Sequence, residues 1–212
     1  MIMHNTSWTK EEQQELSRLN TPLKIQEFIN SCAYNSTEET RSPRYIMMMR
    51  RAHCMEGGLF AAACLEILGF PPLILDLRAE NDDDHIIALY RVGKYWGAIA
   101  KSNFTTLKFR EPVYRTLREL ALSYFDFYFN TDGDKSLRSY SVPFDLNRFN
   151  HIGWRTTEAD LEVIGDRLNT IRHYPLLTPD QKAALSPADP LLLKSSMLGS
   201  DPAGLFVPGS KK

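Results

Sequence analysis

Cys54 and His85 are the residues of this sequence whose types and surroundings best suit covalent chemistry. Cys54 shortly precedes an apolar run, residues 59–68, which lacks proline and stops at Gly69, as helices commonly do. The cysteine is therefore predicted at or just before the first turn of a buried helix. Unpaired N–H groups and the positive end of the helix dipole favour a thiolate there. Such a thiolate can act as a nucleophile if a histidine reaches it.

His85 opens a segment, residues 85–91, that is rich in strand-forming residues. Gly93-Lys94 then predicts a tight turn, and residues 95–102 the returning strand. A two-residue turn makes His85 face Ser102, which becomes the candidate to orient the imidazole. Asn103 is the second candidate, since it points to the other face unless a bulge intervenes. A hydroxyl can accept the imidazole N–H, but it cannot stabilise imidazolium as a carboxylate does.

This order of a cysteine at a helix start and a histidine at the head of a hairpin resembles the transglutaminase-like superfamily of papain-like cysteine enzymes. The resemblance covers about residues 44–103, including Gly69-Phe70-Pro71 before the next strand and Tyr95-Trp96 after the hairpin turn. It implies an α+β fold in which the helix carrying the cysteine packs on a small antiparallel sheet with flanking helices. The superfamily usually places an aspartate on the second hairpin strand, whereas here no aspartate follows Trp96 until Asp126.

The resemblance implies hydrolysis or transfer at an amide or acyl bond of a peptide or small amide substrate. Cys54 would attack the carbonyl, His85 would take the thiol proton, and Ser102 would orient His85. No cofactor and no metal ion are expected. Substrate-binding roles are expected for Glu56, Gly57, Trp96 and Asn103.

Other assignments stay open around these residues. His53 is an alternative general base. As the direct neighbour of Cys54 it is poorly placed to face the thiol, because adjacent helical positions point in different directions. Glu56 either complements the helix dipole or holds His53 or a substrate cation. The run Asp82-Asp83-Asp84 predicts a solvated acidic turn. One of its carboxylates could instead replace the missing aspartate, select a cationic substrate or contribute to a metal site, although ligands so close in sequence converge only through an unusual turn.

The elements that must position these residues have their own local signals. Thr9 and Glu12 form a predicted capping box, and Thr21-Pro22 and Ser42-Pro43 are predicted helix starts. An apolar run over residues 72–77 predicts a central strand. Further helices are predicted from about Val113 to Phe125, from Thr157 to Thr170, and after Thr178 and Ser186.

Length and composition limit the function classes. The 212 residues suit a single domain over residues 1–198 with helical extensions, followed by a flexible tail over residues 199–212. A net charge of −1 gives no electrostatic reason to expect nucleic acid, and no apolar window suggests a membrane span or a secretory signal. Three cysteines without CxxC spacing argue against disulfides and structural zinc, and favour a cytoplasmic location. Nothing indicates the oligomeric state.

A second class of function competes with the enzyme. A binding or scaffold protein could keep this fold without catalysis, and the missing aspartate favours that hypothesis. The presence of both Cys54 and His85 favours the enzyme.

Overall fold

An antiparallel sheet with helices on both faces forms the body of the protein in the computed structural model, which describes residues 8–208. The chain therefore belongs to the α+β class. The described residues form eight α-helices: α1 (Lys10–Leu16), α2 (Pro22–Ser31), α3 (Pro43–Met49), α4 (Cys54–Ile67), α5 (Leu117–Phe125), α6 (Glu162–Thr170), α7 (Pro179–Ala183) and α8 (Pro190–Ser196). Two 3-10 helices cover Leu146–Ile152 and Pro202–Gly204.

Nine strands occur in the same described range: β1 (Ala33–Tyr34), β2 (Arg51–Ala52), β3 (Leu73–Ala79), β4 (His85–Val92), β5 (Tyr95–Ile99), β6 (Arg110–Tyr114), β7 (Leu137–Ser141), β8 (Phe144–Asp145) and β9 (His173–Pro175). The large sheet has the order β6-β5-β4-β3-β7-β9, and β8 also pairs with β3. All of its strand pairings among the described residues are antiparallel. The short strands β1 and β2 form a separate parallel pair.

Alternation along β4 divides the hydrophobic core between the two faces of the sheet. Ile86, Ala88 and Tyr90 pack with the buried helix α4, whereas Ile87 and Leu89 pack on the opposite face with residues of α5. The buried helix α4 thus covers one face, and α5 covers the other.

Most local signals are confirmed. Thr9 and Glu12 form the capping box of α1, and α2 and α3 begin with the predicted prolines. Val92 pairs with Tyr95 across the predicted turn, but β5 ends at Ile99, three residues before the predicted end at Ser102. Gly93 there has a φ of 59°, a conformation that suits glycine in a two-residue hairpin loop.

Three helices start later than predicted. Helix α5 begins at Leu117 and not near Val113, because Val113 belongs to β6, which pairs with β5. Helix α6 begins at Glu162 because the N–H of Leu161 binds the carbonyl of Thr40 and draws the preceding residues into a tertiary contact. Helix α8 begins after Asp189, whose carboxylate caps Leu191 and Leu192, and so starts beyond the predicted Ser186-Pro187 signal. No helix among residues 8–208 combines the length and apolar character that a membrane crossing requires.

Candidate functional site

Cys54 is the first residue of α4, as its sequence context predicted. His53 precedes it in an extended conformation, and the Cys54 thiol lies 3.7 Å from the carbonyl oxygen of Asp84. Cys54 is partly exposed, whereas Cys32 and Cys64 are buried, and no disulfide joins the three. Burial raises the pKa of both buried thiols. Cys54 is therefore the cysteine that a solvent-borne reagent meets first.

A small, partly open pocket lies at the start of α4. Its walls come from the start of α4, the turn before β4, the loop after β5 and the C-terminal end of the described chain. Seven of the residues that the sequence singled out line it together: Cys54, His85, Ser102, Asn103 and the acidic run 82–84. We call it the Cys54 pocket.

The His85 ring is oriented by a backbone carbonyl. Its Nε2 lies 2.8 Å from the carbonyl oxygen of Leu107. Because that oxygen can only accept, Nε2 carries the proton and Nδ1 is left with the lone pair. The ring also lies edge-on to Tyr124 and Tyr128, with centroid distances of 6.4 and 6.3 Å. The oxygen that orients the His85 ring thus belongs to the main chain.

His85 and Cys54 approach the pocket from opposite faces of the sheet. His85 pairs with Leu77, a residue of the core on the α5 face, and α4 packs against its neighbour Ile86 on the other face. The two functional groups come to one pocket because Cys54 reaches the end of β4, where its thiol contacts Asp84. Their meeting point is the edge of the sheet.

Burial dominates the electrostatics of His85. With only 4% of its surface exposed, the ring has a pKa lowered from 6.5 to about 4 by desolvation. The Leu107 hydrogen bond and the charge of Asp83 raise the pKa, whereas Arg110 lowers it further. At neutral pH the imidazole is therefore uncharged.

Ser102 and Asn103 both line the pocket, but their polar atoms have partners of their own. The Ser102 hydroxyl accepts the backbone N–H of Phe104, and the oxygen at His85 Nε2 is that of Leu107. The role of Ser102 in orienting His85 stays a prediction. The Asn103 amide forms two hydrogen bonds with the main chain of Asp201.

Glu56 is fully buried and caps the start of α4 from within. Its carboxylate accepts hydrogen bonds from the Asn35 amide and from the backbone N–H groups of Arg41 and His53. The His53 ring lies 3.2 Å from the Glu39 carbonyl oxygen, and its Nε2 lies 3.7 Å from the Glu56 carboxylate. Glu56 is therefore a helix cap that also lies beside His53, and its contacts fit both of these roles left open by the sequence.

Gly57 allows α4 to approach the sheet closely. A Cβ atom placed at Gly57 would lie 2.3 Å from the Cβ of Lys101. Trp96 lies at the far end of β5, six residues before Ser102, or roughly 20 Å along an extended strand. Its ring stacks with Arg91 and does not line the Cys54 pocket.

The acidic run forms a hydrogen-bonded turn. Asp84 accepts the backbone N–H of Ala79, and Asp82 accepts the hydroxyl of Ser136. The charge of Asp83 is the one that acts on both His85 and Tyr34, raising the pKa of each. Asp83 is therefore the carboxylate of the run with an electrostatic influence on the predicted base. Within residues 8–208, no three His, Cys, Asp or Glu side chains converge as metal ligands would.

Three lining residues carry no local sequence signal. Tyr34 enters from β1, which pairs with β2 just ahead of His53. Leu107 contributes its carbonyl from the loop after β5, and Gly204 comes from the C-terminal end. Each is brought to the pocket by contacts that are distant in sequence.

No protein-family model matches the chain, and no curated protein has a significantly similar sequence.

Proposed function

We propose that this protein is a transglutaminase-like cysteine enzyme that acts on an amide or acyl bond through Cys54, with His85 as its general base. The observation that carries the proposal is one pocket that contains both groups. Cys54 lies there at the first position of a 14-residue helix, and the Nε2–H group of His85 donates a hydrogen bond to the carbonyl of Leu107.

In this mechanism, Nδ1 of His85 takes the thiol proton as the sulfur forms a bond to the substrate carbonyl carbon. The carbonyl π electrons move to oxygen, and the positive end of α4 stabilises the resulting negative charge. Collapse of this intermediate expels the amine, which takes the proton back from His85. Water or a second nucleophile then releases the acyl group from Cys54.

The neutral state of His85 supports the proton-accepting role, since an imidazolium could not act as a base. A backbone carbonyl can hold the tautomer as the absent aspartate would, but without a full negative charge. We therefore expect a slower reaction than a carboxylate-assisted site would give. The charge of Asp83 offsets part of the effect of the missing aspartate, because it raises the pKa of His85.

A binding protein with this fold is the second candidate. Two observations favour it: the His85 ring lies on the α5 face of the sheet, and burial lowers its pKa to about 4. A base of such low pKa removes a thiol proton poorly. In that case Cys54 would react like an ordinary thiol.

The experiment that separates the two candidates is alkylation by iodoacetamide as a function of pH, followed by mass spectrometry of the intact chain. Cys54→Ala should abolish labelling because the other two cysteines are buried. For the enzyme we expect a midpoint at least one pH unit below the ~8.5 of an ordinary thiol. His85→Ala should move the midpoint upwards, whereas His151→Ala, which changes an exposed histidine outside the pocket, should not.

An ordinary midpoint that does not respond to His85→Ala would reject the enzyme and favour the binding protein. Formation of an acyl intermediate can be tested with p-nitrophenyl acetate. We expect a burst of nitrophenol and an acetyl group on the Cys54 peptide, both lost in Cys54→Ala.

A further inference from the structure

The C-terminal segment, residues 201–206, forms part of the Cys54 pocket. Gly204 and Phe206 line the pocket together with Cys54 and His85. The carbonyl of Phe206 accepts a hydrogen bond from the Thr131 hydroxyl. Composition predicts a flexible tail over residues 199–212, of which 209–212 lie outside the described residues, but residues 201–206 pack against the body. This stretch of the chain therefore forms one wall of the pocket that contains Cys54.

Asn103 binds this segment through a pair of hydrogen bonds like those between two peptide strands. Its Nδ2 donates to the carbonyl of Asp201 and its Oδ1 accepts the N–H of Asp201, both at 2.8 Å. A side-chain amide has the same donor and acceptor pair as a peptide group, so this contact recognises main chain and places no demand on side-chain identity. It is the kind of contact by which a protein binds a peptide.

Gly204 fits the pocket because it has no side chain. A Cβ atom at this position would lie 2.3 Å from Cε1 of Tyr34 and 3.2 Å from Nδ2 of Asn103. The Tyr34 ring therefore makes a subsite that accepts glycine and excludes larger residues. The outer side of the segment, Pro202 and Ala203, is exposed to solvent.

We propose that the Cys54 pocket is a peptide-binding groove and that the protein's own C-terminal segment is its resident ligand. The ligand class is a peptide whose main chain is read by Asn103 and whose glycine lies against Tyr34. This assignment of a substrate class rests on the proposed function, because it takes Cys54, which lies beside the groove, as the reactive group. The resident segment competes with a substrate for the groove and so restrains access to Cys54.

One loop links this segment to the proposed base. Residues 102–109 carry Asn103, the carbonyl of Leu107 that orients His85, and Thr105, which binds the carbonyl of Ser196 at the end of α8. Release of the segment would remove the two bonds between Asn103 and Asp201, whereas the bonds of Thr105 to Ser196 would stay. The resident peptide and the oxygen that orients His85 therefore contact one and the same loop.

The rate at which a reagent labels Cys54 tests whether the C-terminal segment occupies the groove. Iodoacetamide labelling at about pH 9.5, above the ~8.5 of an ordinary thiol, reports access and not activation. Gly204→Leu and Asn103→Ala should each raise the labelling rate by about tenfold, because the rate follows the population of the open form. Ala203→Ser, at the exposed neighbouring position, should leave the rate unchanged. Equal rates in all four proteins would overturn the proposal.

A peptide added in trans provides the second measurement. The acetylated and amidated peptide Asp-Pro-Ala-Gly-Leu-Phe, which copies residues 201–206, should protect Cys54 in Gly204→Leu. The same peptide with alanine in place of glycine should not. Equal protection by both, or none by either, would overturn the glycine subsite. Circular dichroism verifies the fold, and if Gly204→Leu does not fold, Asn103→Ala carries the access comparison alone.

The two proposals fail separately. An ordinary pH midpoint for Cys54 would reject the enzyme, but it would leave the rates at pH 9.5 and the peptide protection unchanged. Unchanged access in the variants would reject the resident ligand and leave the activated thiol unaffected.

Discussion

The imidazole of His85 donates a hydrogen bond to the carbonyl oxygen of Leu107, 22 residues further along the chain. This bond determines which nitrogen of the ring can accept a proton. It also connects the ring to the loop that binds the C-terminal segment through Asn103. The chemistry of the proposed base therefore depends on a backbone carbonyl oxygen. Every residue has such an oxygen, so the sequence does not indicate which of them binds His85.

Burial of His85 should make the protein lose stability in mild acid. Its pKa is about 4 in the folded protein and 6.5 as the ordinary value, so the unfolded chain binds the proton more tightly. Stability is therefore full above pH 6.5 and falls as the pH drops towards 4, by about 3 kcal/mol for this group. Urea unfolding of wild type and His85→Gln at several pH values measures this contribution.

Gln is the informative replacement because its amide nitrogen can still donate to Leu107. His85→Gln should show a smaller loss of stability between pH 6.5 and 4 than wild type does. His151→Gln, at an exposed position, should follow the wild-type curve. Parallel curves for wild type and His85→Gln would show that His85 does not stay neutral in the fold.

Asp76 should have the opposite pH dependence. Burial and, next, the charge of Asp84 raise its pKa from 3.8 to about 6, against the lowering effect of His173. Between these values the folded protein holds more protons than the unfolded chain, so this group lowers stability as the pH rises from 4 to 6.

Asp76→Asn removes that titration and leaves the opposing one of His85. Its free energy of unfolding should therefore rise more steeply from pH 4 to 6 than that of wild type, in the same urea experiment. Asp166→Asn, on the exposed side of α6, is the matched control. A slope equal to that of wild type would contradict the raised pKa of Asp76.

Gly57 should not tolerate a methyl group, unlike another helical glycine. Gly57→Ala brings the new Cβ to 2.3 Å from the Cβ of Lys101, and we expect it to lower stability by about 1–3 kcal/mol. Gly165→Ala meets only the end of Met55, at 3.5 Å, and should raise stability by about 0.5–1 kcal/mol through helix propensity. Thermal unfolding followed by circular dichroism compares the two. Equal effects would mean that α4 does not approach the sheet this closely.

Glu56 should be a stronger cap than Glu12, although both occupy the third position of their helices. Glu56→Gln replaces one accepting oxygen by an amide NH₂ group that would face a buried N–H donor. This should lower the free energy of unfolding by about 3 kcal/mol. Glu12→Gln should cost about 1 kcal/mol, since its contacts with Thr9 and Arg44 lie nearer the surface. Denaturant unfolding measures both changes. A cost for Glu56→Gln no larger than that for Glu12→Gln would contradict the internal cap.

The helix that begins at Cys54 and the hairpin that begins at His85 were predictable because their signals are local. A helix start depends on residues within one turn, and strand register depends on a two-residue loop. The pairing that starts at Val92 and Tyr95 ends at Ala88 and Ile99, and Ser102, three residues further on, lines the pocket. Its proposed role as the partner of His85 remains a prediction.

What the sequence determined by itself is the set of candidate residues for the proposed chemistry and the two elements that carry them. Only the tertiary structure decided that Leu107 orients His85, that Glu56 serves as an internal cap, and that Asn103 binds Asp201 at a separation of 98 residues. The physical reason is that capping and strand alternation arise from short-range backbone geometry. The partner of a buried polar atom depends instead on which distant segments the packed core brings into reach.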